Sequence, residues 1–202
     1  MKMPPIVRVQ MAIPLSSPLG PTLETSRLYL RPPVPEDFAG FCEFSRDPVT
    51  MKHLGGVTAN SVTWRGMRTV AGAWALDGFH MFSVLSKDTN EWIGRIGPLH
   101  PHGWPDQEIG WGLISRFTGK GFAHEAATAC MNYAFDQLGW LHVVHTIAPD
   151  NFESQALAKR LGSEKMGPTQ LPEPYSQQPV ELWGQSRYQW QAHLKSSMKH
   201  PV

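Results

Sequence analysis

Polar and apolar residues alternate through Arg27-Leu28-Tyr29-Leu30-Arg31, a period of two that predicts a half-buried strand closed by Pro32 and Pro33. The period then lengthens. Phe38, Phe41, Cys42 and Phe44 fall at helical spacing within 36–45, and an irregular helical stretch follows over 61–77, with His53 to Val57 as the loop between them. Residues 79–86 read as a strand, Lys87-Asp88-Thr89-Asn90 as a turn and 91–99 as its hairpin partner. After the loop of 101–106, residues 107–115 form a third strand of a meander. From Gly121 the apolar positions Ala123, Ala127, Cys130, Met131, Ala134, Phe135 and Leu138 recur at three and four, the face of a helix ending at Gly139. A buried strand over 142–148, a helix over 151–161 closed by Gly162, a Pro/Gln loop over 167–179 and a last strand over 180–190 complete the chain. Strand, helix and strand in succession imply a right-handed crossover and one parallel pair in an otherwise antiparallel sheet, a mixed α/β domain.

Prolines 4, 5, 14, 18 and 21 break every apolar run of the first 22 residues, which therefore read as an arm without a signal-peptide core. The domain is expected over 23–195, with 196–202 as a tail. No run of about 18 apolar residues follows, so no membrane span is expected. With 41% hydrophobic and 17% charged residues in 202, the chain is too apolar for disorder and long enough for a sizeable core. Its net charge of +1 argues against a broad nucleic-acid surface. Two distant cysteines, Cys42 and Cys130, suggest neither a disulfide framework nor a zinc site, and fit a cytoplasmic location.

The chemistry concentrates between Glu108 and Ala126. There a strand runs through a glycine turn, Gly119-Lys120-Gly121, into the long helix, so unpaired backbone N–H groups and the positive end of the helix dipole converge. That arrangement suits an anion, with Lys120 and Arg116 adding charge, although a glycine turn before a core helix would leave the same letters. The run lacks the Ser or Thr and the glycine span of a Walker loop, and it lacks the third glycine of a dinucleotide fingerprint, where His124 stands.

Taken together, Leu23-Glu24-Thr25-Ser26-Arg27-Leu28-Tyr29-Leu30-Arg31, Glu108-Ile109-Gly110-Trp111, Gly119-Lys120-Gly121-Phe122-Ala123-His124-Glu125-Ala126, Asn151-Phe152-Glu153-Ser154 and Trp183-Gly184-Gln185-Ser186-Arg187 resemble the GNAT family of N-acetyltransferases. Within it they are similar to the RimJ/RimL branch, which acetylates ribosomal-protein N-termini. The resemblance covers roughly Leu23 to Leu194. It implies a mixed, mostly antiparallel sheet splayed between its fourth and fifth strands and flanked by helices, with acetyl-CoA as co-substrate in the splay. It further implies that Trp111, Gly112 and Leu113 offer backbone groups to pantetheine, that Thr118, Gly119, Lys120, Gly121, Phe122 and Ala123 wrap the pyrophosphate, and that Asn151 and Ser154 face the pantetheine. The family's phosphate signature falls on Thr118, Gly121 and Ala123 in the branch register, with Thr118 departing from the usual Gln or Arg. A register two residues earlier, Arg116, Gly119 and Gly121, fits its letters better and the branch less well.

An amine attacking a thioester must lose a proton, and a carboxylate near the splay can take it. Glu108 is the candidate base, with a surface carboxylate at a strand edge as the plain alternative. The family's usual Tyr acid, seven residues after the Asn, is replaced by Ala158, which leaves Ser154 as the group able to hydrogen-bond the sulfur. No activated nucleophile suggests a covalent intermediate. Nine histidines invite a metal reading, but His100 with His102 lack partners, and His142 and His145 on one strand would point to opposite faces, so no metal is expected. Trp104, Trp64 and the loop of His53 to Val57 are expected to border the acceptor groove. The reading is acetyl transfer to a primary amine, of a protein N-terminus or a small molecule, by a protein that can form a homodimer. It competes with a catalytically weak acyl-CoA-binding module and with a polyamine or aminoglycoside acetyltransferase.

Overall fold

The structure, a computed structural model, describes residues 13–199, with side chains described as far as 196. Eight strands form one sheet: β1 (Leu23–Glu24), β2 (Leu28–Arg31), β3 (Phe82–Ser86), β4 (Trp92–Leu99), β5 (Glu108–Leu113), β6 (His142–Ile147), β7 (Glu164–Thr169) and β8 (Val180–Ser186). Their order is β1-β2-β3-β4-β5-β6-β8-β7, and every pairing is antiparallel except β5 with β6. The helices are α1 (Phe38–Arg46), α2 (Pro48–Met51), α3 (Asn60–Asp77), α4 (Phe122–Asp136), α5 (Phe152–Arg160) and α6 (Arg187–Lys199). The meander and the β5–α4–β6 crossover expected from the sequence are both present.

The core explains the arrangement. Helix α4 buries Ala126, Ala127, Cys130, Met131, Ala134 and Phe135 against β4 and β5, and its small residues let it lie close to the sheet. Helix α1 packs on β4 through Phe41 and Phe44, whose rings meet Trp92 at 4.7 and 5.9 Å. A Cβ on Gly40 would come within 2.8 Å of Trp92, so only glycine permits that approach.

Beneath this apolar layer lies one fully buried ion pair. Arg31 and Asp37 bind bidentately, with both N–O distances 2.6 Å, and Asp37 also accepts from Ser83 Oγ and the Val34 amide. Arg31 further donates from Nε to the carbonyl of Pro14. The chain ahead of β1 is thus laid against the domain: Ser17 and Gly20 form a bridge, and Ile13 and Leu19 pack on the core. Residues 1–12 of the arm and 200–202 of the C-terminal tail lie outside the described residues.

Two expectations need correction. Residues 164–169 are an edge strand, whereas the sequence read 167 onward as loop. Gly167 and Pro168 suggested a break, but an edge position tolerates both, and a register shift between Lys165 and Gly167 absorbs them. The last strand also stops at Ser186 instead of running to Trp190. Ser186 and Gln189 cap a helix reciprocally: the Gln189 amide donates to Ser186 Oγ, and the Ser186 amide donates to Gln189 Oε1. This Ser-x-x-Gln box was legible. The β-like run of Tyr188 and Trp190 hid it, while Trp190 reaches back to Asn132 of α4.

Asp37→Ala should destabilise the protein by about 3–5 kcal/mol in urea unfolding, because it strands the Arg31 guanidinium without its counter-charge.

Candidate functional site

The parallel pair β5–β6 is hydrogen-bonded at one place, where Glu108 stands opposite Val144 and the Val144 amide donates to the Gln107 carbonyl. Beyond that point the strands part. At the next step the carbonyl of Ile109 is taken by a side chain, His145 Nδ1 at 2.7 Å, so an imidazole stands where a backbone amide would continue the ladder. A carbonyl only accepts, which puts the proton on Nδ1 and leaves Nε2 to accept from Ser163 Oγ at 3.0 Å. Gln185 Nε2 donates to the same Ser163 oxygen, which fixes the hydroxyl. Burial pushes His145 down to about 4, so the wedge is neutral.

The edge of β5 is consequently open. The Ile114 amide points to β4, where it donates to Ile93, so by alternation the backbone groups of Trp111 and Leu113 point into the splay. The Leu113 carbonyl there accepts from Thr50 Oγ1 at 3.0 Å, which leaves Trp111 and the Leu113 amide as the open edge. Gly112 points its own amide toward β4. Its contribution to the site is therefore its missing side chain, since a Cβ there would meet Phe44 at 2.8 Å. The Trp111 indole crosses the gap, its ring 4.6 Å from the His145 ring and tilted 46° to it, and donates to Ser154 Oγ at 3.1 Å. Ser154 is itself positioned by Asn151, the N-cap of α5, whose Oδ1 accepts the Ser154 amide at 3.1 Å. With Trp111 as its donor, the Ser154 hydroxyl keeps its own hydrogen for another acceptor. Ala158 is fully buried with Ile147, Trp183 and Trp111. Both indoles pack in that cluster, and Trp183 Nε1 is buried there with no acceptor among the described residues.

At the far end of β5 a 3-10 turn (Ser115–Phe117) leads into the glycine loop. Gly119 and Gly121 have φ of 72° and 81°, a left-handed conformation that a side chain would strain. Gly121 caps α4 without a side-chain acceptor, and among the described residues the amides from Gly119 through His124 find no backbone or side-chain acceptor. Thr118 turns its hydroxyl inward to the Ser115 carbonyl. Lys120 is exposed, its ammonium 5.5 Å from the Phe117 ring. Arg116 is not turned to this loop: Glu43 holds it at 2.8 Å and Glu91 at 3.3 Å. The loop is braced by contacts not foreseen from the sequence. Glu125, in the first turn of α4, accepts from Thr25, Ser26 and the amide and guanidinium of Arg27. Burial would raise the Glu125 carboxyl, but those donors together hold it below its usual value. Arg27 in turn donates to the Lys120 carbonyl and stacks 4.5 Å from Phe122. The signal was the spacing of Thr25-Ser26-Arg27 against one helical Glu, which no local pattern pairs.

Glu108 lies at the vertex of the splay and is buried, 6% exposed. Its Oε2 accepts from Trp104 Nε1 at 2.6 Å and from Thr146 Oγ1 at 2.9 Å. Burial outweighs those donors and raises the carboxyl to about 7. Trp104 therefore sits at the base, 6.4 Å from the Tyr175 ring. The loop after α2 bends over the gap, with His53 3.5 Å from Asp150, the neighbour of Asn151. Trp64 instead packs on Phe38 at the flank. Among the described residues no group of three or more His, Cys, Asp or Glu can hold a metal, and no helix is long and apolar enough to cross a membrane.

One strand thus presents, in order, a buried carboxyl of raised pKa, an edge open at Trp111 and the Leu113 amide, and a row of free amides at a helix start. The sequence profile of the Acetyltransferase (GNAT) domain matches residues 27–164. The chain belongs to the GNAT acetyltransferase family. It is 32% identical over 153 residues, covering 72% of this chain and 84% of the relative, to the N-acetyltransferase p20 of Bacillus licheniformis, itself uncharacterized. Its fold is similar to that of an acetyltransferase of Agrobacterium tumefaciens, with a TM-score of 0.73, 30% identity and coverage of 83% and 95% of the two chains. A ribosomal-protein-S5-alanine acetyltransferase of Vibrio fischeri shares the fold at a TM-score of 0.62 and 15% identity, over 84% and 98% of the chains. This GNAT chain is an acyltransferase, and its splayed sheet is the fold that in this family binds acetyl-CoA.

Because ionising Glu108 inside the fold is unfavourable, its contribution to stability is present below the unfolded value near 4.5 and lost as pH rises through about 7. Glu108→Gln, which keeps an oxygen for Trp104 and Thr146, should match the native protein near pH 5 and gain on it steadily toward pH 8 in denaturant unfolding.

Proposed function

We propose that this GNAT chain transfers the acetyl group of acetyl-CoA to a primary amine, of a protein N-terminus or a small molecule, by direct attack in a ternary complex. The observation that carries this is the succession along β5 and the turn after it. Free amides from Gly119 to His124 suit a pyrophosphate, the open edge at Trp111 and the Leu113 amide suits the amide-bearing pantetheine arm, and Glu108 stands where that arm would end. The fit extends to two further groups: the hydroxyl hydrogen of Ser154 and the orphaned Nε1–H of Trp183 are donors left over beside the same gap. Thr118, Gly119, Lys120, Gly121, Phe122 and Ala123 would hold the phosphates, in the register that leaves Arg116 to Glu43. Asn151 would act by placing Ser154. The RimJ/RimL branch remains the reading of the sequence motifs, and a cytoplasmic protein able to pair with a second copy is consistent with it.

Acetyl-CoA supplies an acyl group already activated as a thioester. The protein's own task is the proton. A carboxyl poised at about 7 is half ionised at neutral pH and can take the proton of the attacking ammonium, directly or through water, as the nitrogen bonds to the carbonyl carbon. The carbon–sulfur bond then breaks, and the Ser154 hydroxyl can donate to the departing sulfur. Products are the N-acetyl amine and free CoA thiol, with no enzyme-bound acyl group. Ala158 offers no phenol, and a thiolate leaves with little more than a hydrogen bond.

Release of CoA thiol from acetyl-CoA in the presence of amines tests the reading. Turnover should rise with pH through about 7. Glu108→Gln should lower it roughly 10²-fold and remove that rise, with acetyl-CoA affinity little changed. Gly121→Trp should abolish the thermal stabilisation that acetyl-CoA confers. A folded Gly121→Trp that still binds would place the phosphates elsewhere, and binding without turnover on any amine class would favour the acyl-CoA-binding module.

A further inference from the structure

Glu108, Gly110 and Gly112 project from one face of β5, and in the β4–β5 register they stand opposite Leu99, Gly97 and Arg95. The face therefore carries a carboxyl at one end, a guanidinium at the other and glycines between them. Met81 and Leu99 pack over Gly110, and Phe44 and Leu54 over Gly112, which gives the stretch an apolar lining. Arg31, on the same face two strands away, is fully matched by Asp37. Arg95 is not matched. Half-buried, with its guanidinium 5.4 Å from the Phe44 ring, it has no hydrogen bond or ion pair among the described residues. Its titratable neighbour His80 is no counter-ion either: burial first, and then the charge of Arg95, hold that imidazole down to about 4, neutral. Tyr175, which also flanks Trp104, is the one group near Arg95 that favours its charge. A cation without a carboxylate, on the face that carries the base, is a recognition group for an anion brought by a ligand.

We infer that the acceptor is an amino-acid-like amine whose free carboxylate is held by Arg95 while its nitrogen is presented at Glu108. This rests on the acetyl-transfer reading above and narrows it. A polycationic acceptor such as a polyamine would meet Arg95 as a like charge, and an amine without an anionic group would leave the half-buried guanidinium unpaired. Burial lowers the Arg95 guanidinium below its ordinary value, as expected of a cation short of counter-charge.

The test is thiol release from acetyl-CoA with the free L-amino acids, their carboxamides and spermidine, in the native protein and in Arg95→Met. The free acids should exceed their amides by roughly 10- to 100-fold in kcat/KM, the worth of one charged hydrogen-bonded contact, and the ratio should fall to about one in Arg95→Met. Equal rates for acid and amide, preference for spermidine, or a preference that survives Arg95→Met would overturn the assignment. A binding arm separates this from the catalytic reading. N-acetylglycine, but not N-acetylglycinamide, should raise the melting temperature of the native protein and not that of Arg95→Met. That difference stands even if no amine is turned over, which would count against Glu108 alone. Its absence would remove Arg95 as an anion site whatever the turnover.

Discussion

The site depends on one hydrogen bond that a side chain makes in place of the backbone. His145 donates to Ile109, and that imidazole keeps β5 and β6 from zipping past Glu108 and Val144. An unpaired strand edge in a protein interior is costly unless something satisfies it, so a wedge of this kind has to be held firmly. Ser163 and Gln185 do so from the neighbouring strand and turn, and Trp111 closes the gap by packing its tilted indole against the ring. The same wedge places the vertex of the splay at Glu108. Burial there turns an ordinary carboxyl into one that titrates near neutrality, so opening the cleft and tuning the base are consequences of one packing arrangement.

The phosphate end is prepared differently. Nothing wedges it open. Two left-handed glycines stop the chain from satisfying its own amides, and Glu125 ties the first turn of α4 to the β1–β2 turn so that those amides keep a fixed direction. A carboxylate in the first helical turn would ordinarily compete with a bound anion for the helix start. Here its oxygens are taken up by Arg27, Ser26 and Thr25, and the loop is left to the ligand.

Much of this could be read from the chain. Periodicity gave the meander, α4 and the crossover because each buries a continuous apolar face, and the glycine loop announced itself through residues whose conformation is local. What escaped the reading was non-local. Arg116 looked like a phosphate ligand from its position, but Glu43 and Glu91, distant in sequence, claim it. His145 enters the sequence reading only as half of a rejected metal pair with His142, because nothing in the pattern of β6 says that it stands in for a backbone amide. Arg95 attracted no notice inside a hairpin strand, since the absence of a partner is visible only once the fold shows which carboxylates are near. Edge strand β7 and helix α6 were missed for the opposite reason: strong local signals, Gly167-Pro168 and the aromatic run after Ser186, pointed away from what the tertiary structure adopts.

Residue-resolved hydrogen exchange with and without acetyl-CoA tests the central claim most directly. The amides of Trp111 and Leu113 and those from Gly119 through His124 have no acceptor among the described residues, so they should exchange readily in the free chain and slow together when acetyl-CoA is added. Unchanged exchange at these amides, at an acetyl-CoA concentration that measurably stabilises the protein, would contradict the account and place the ligand outside the splay.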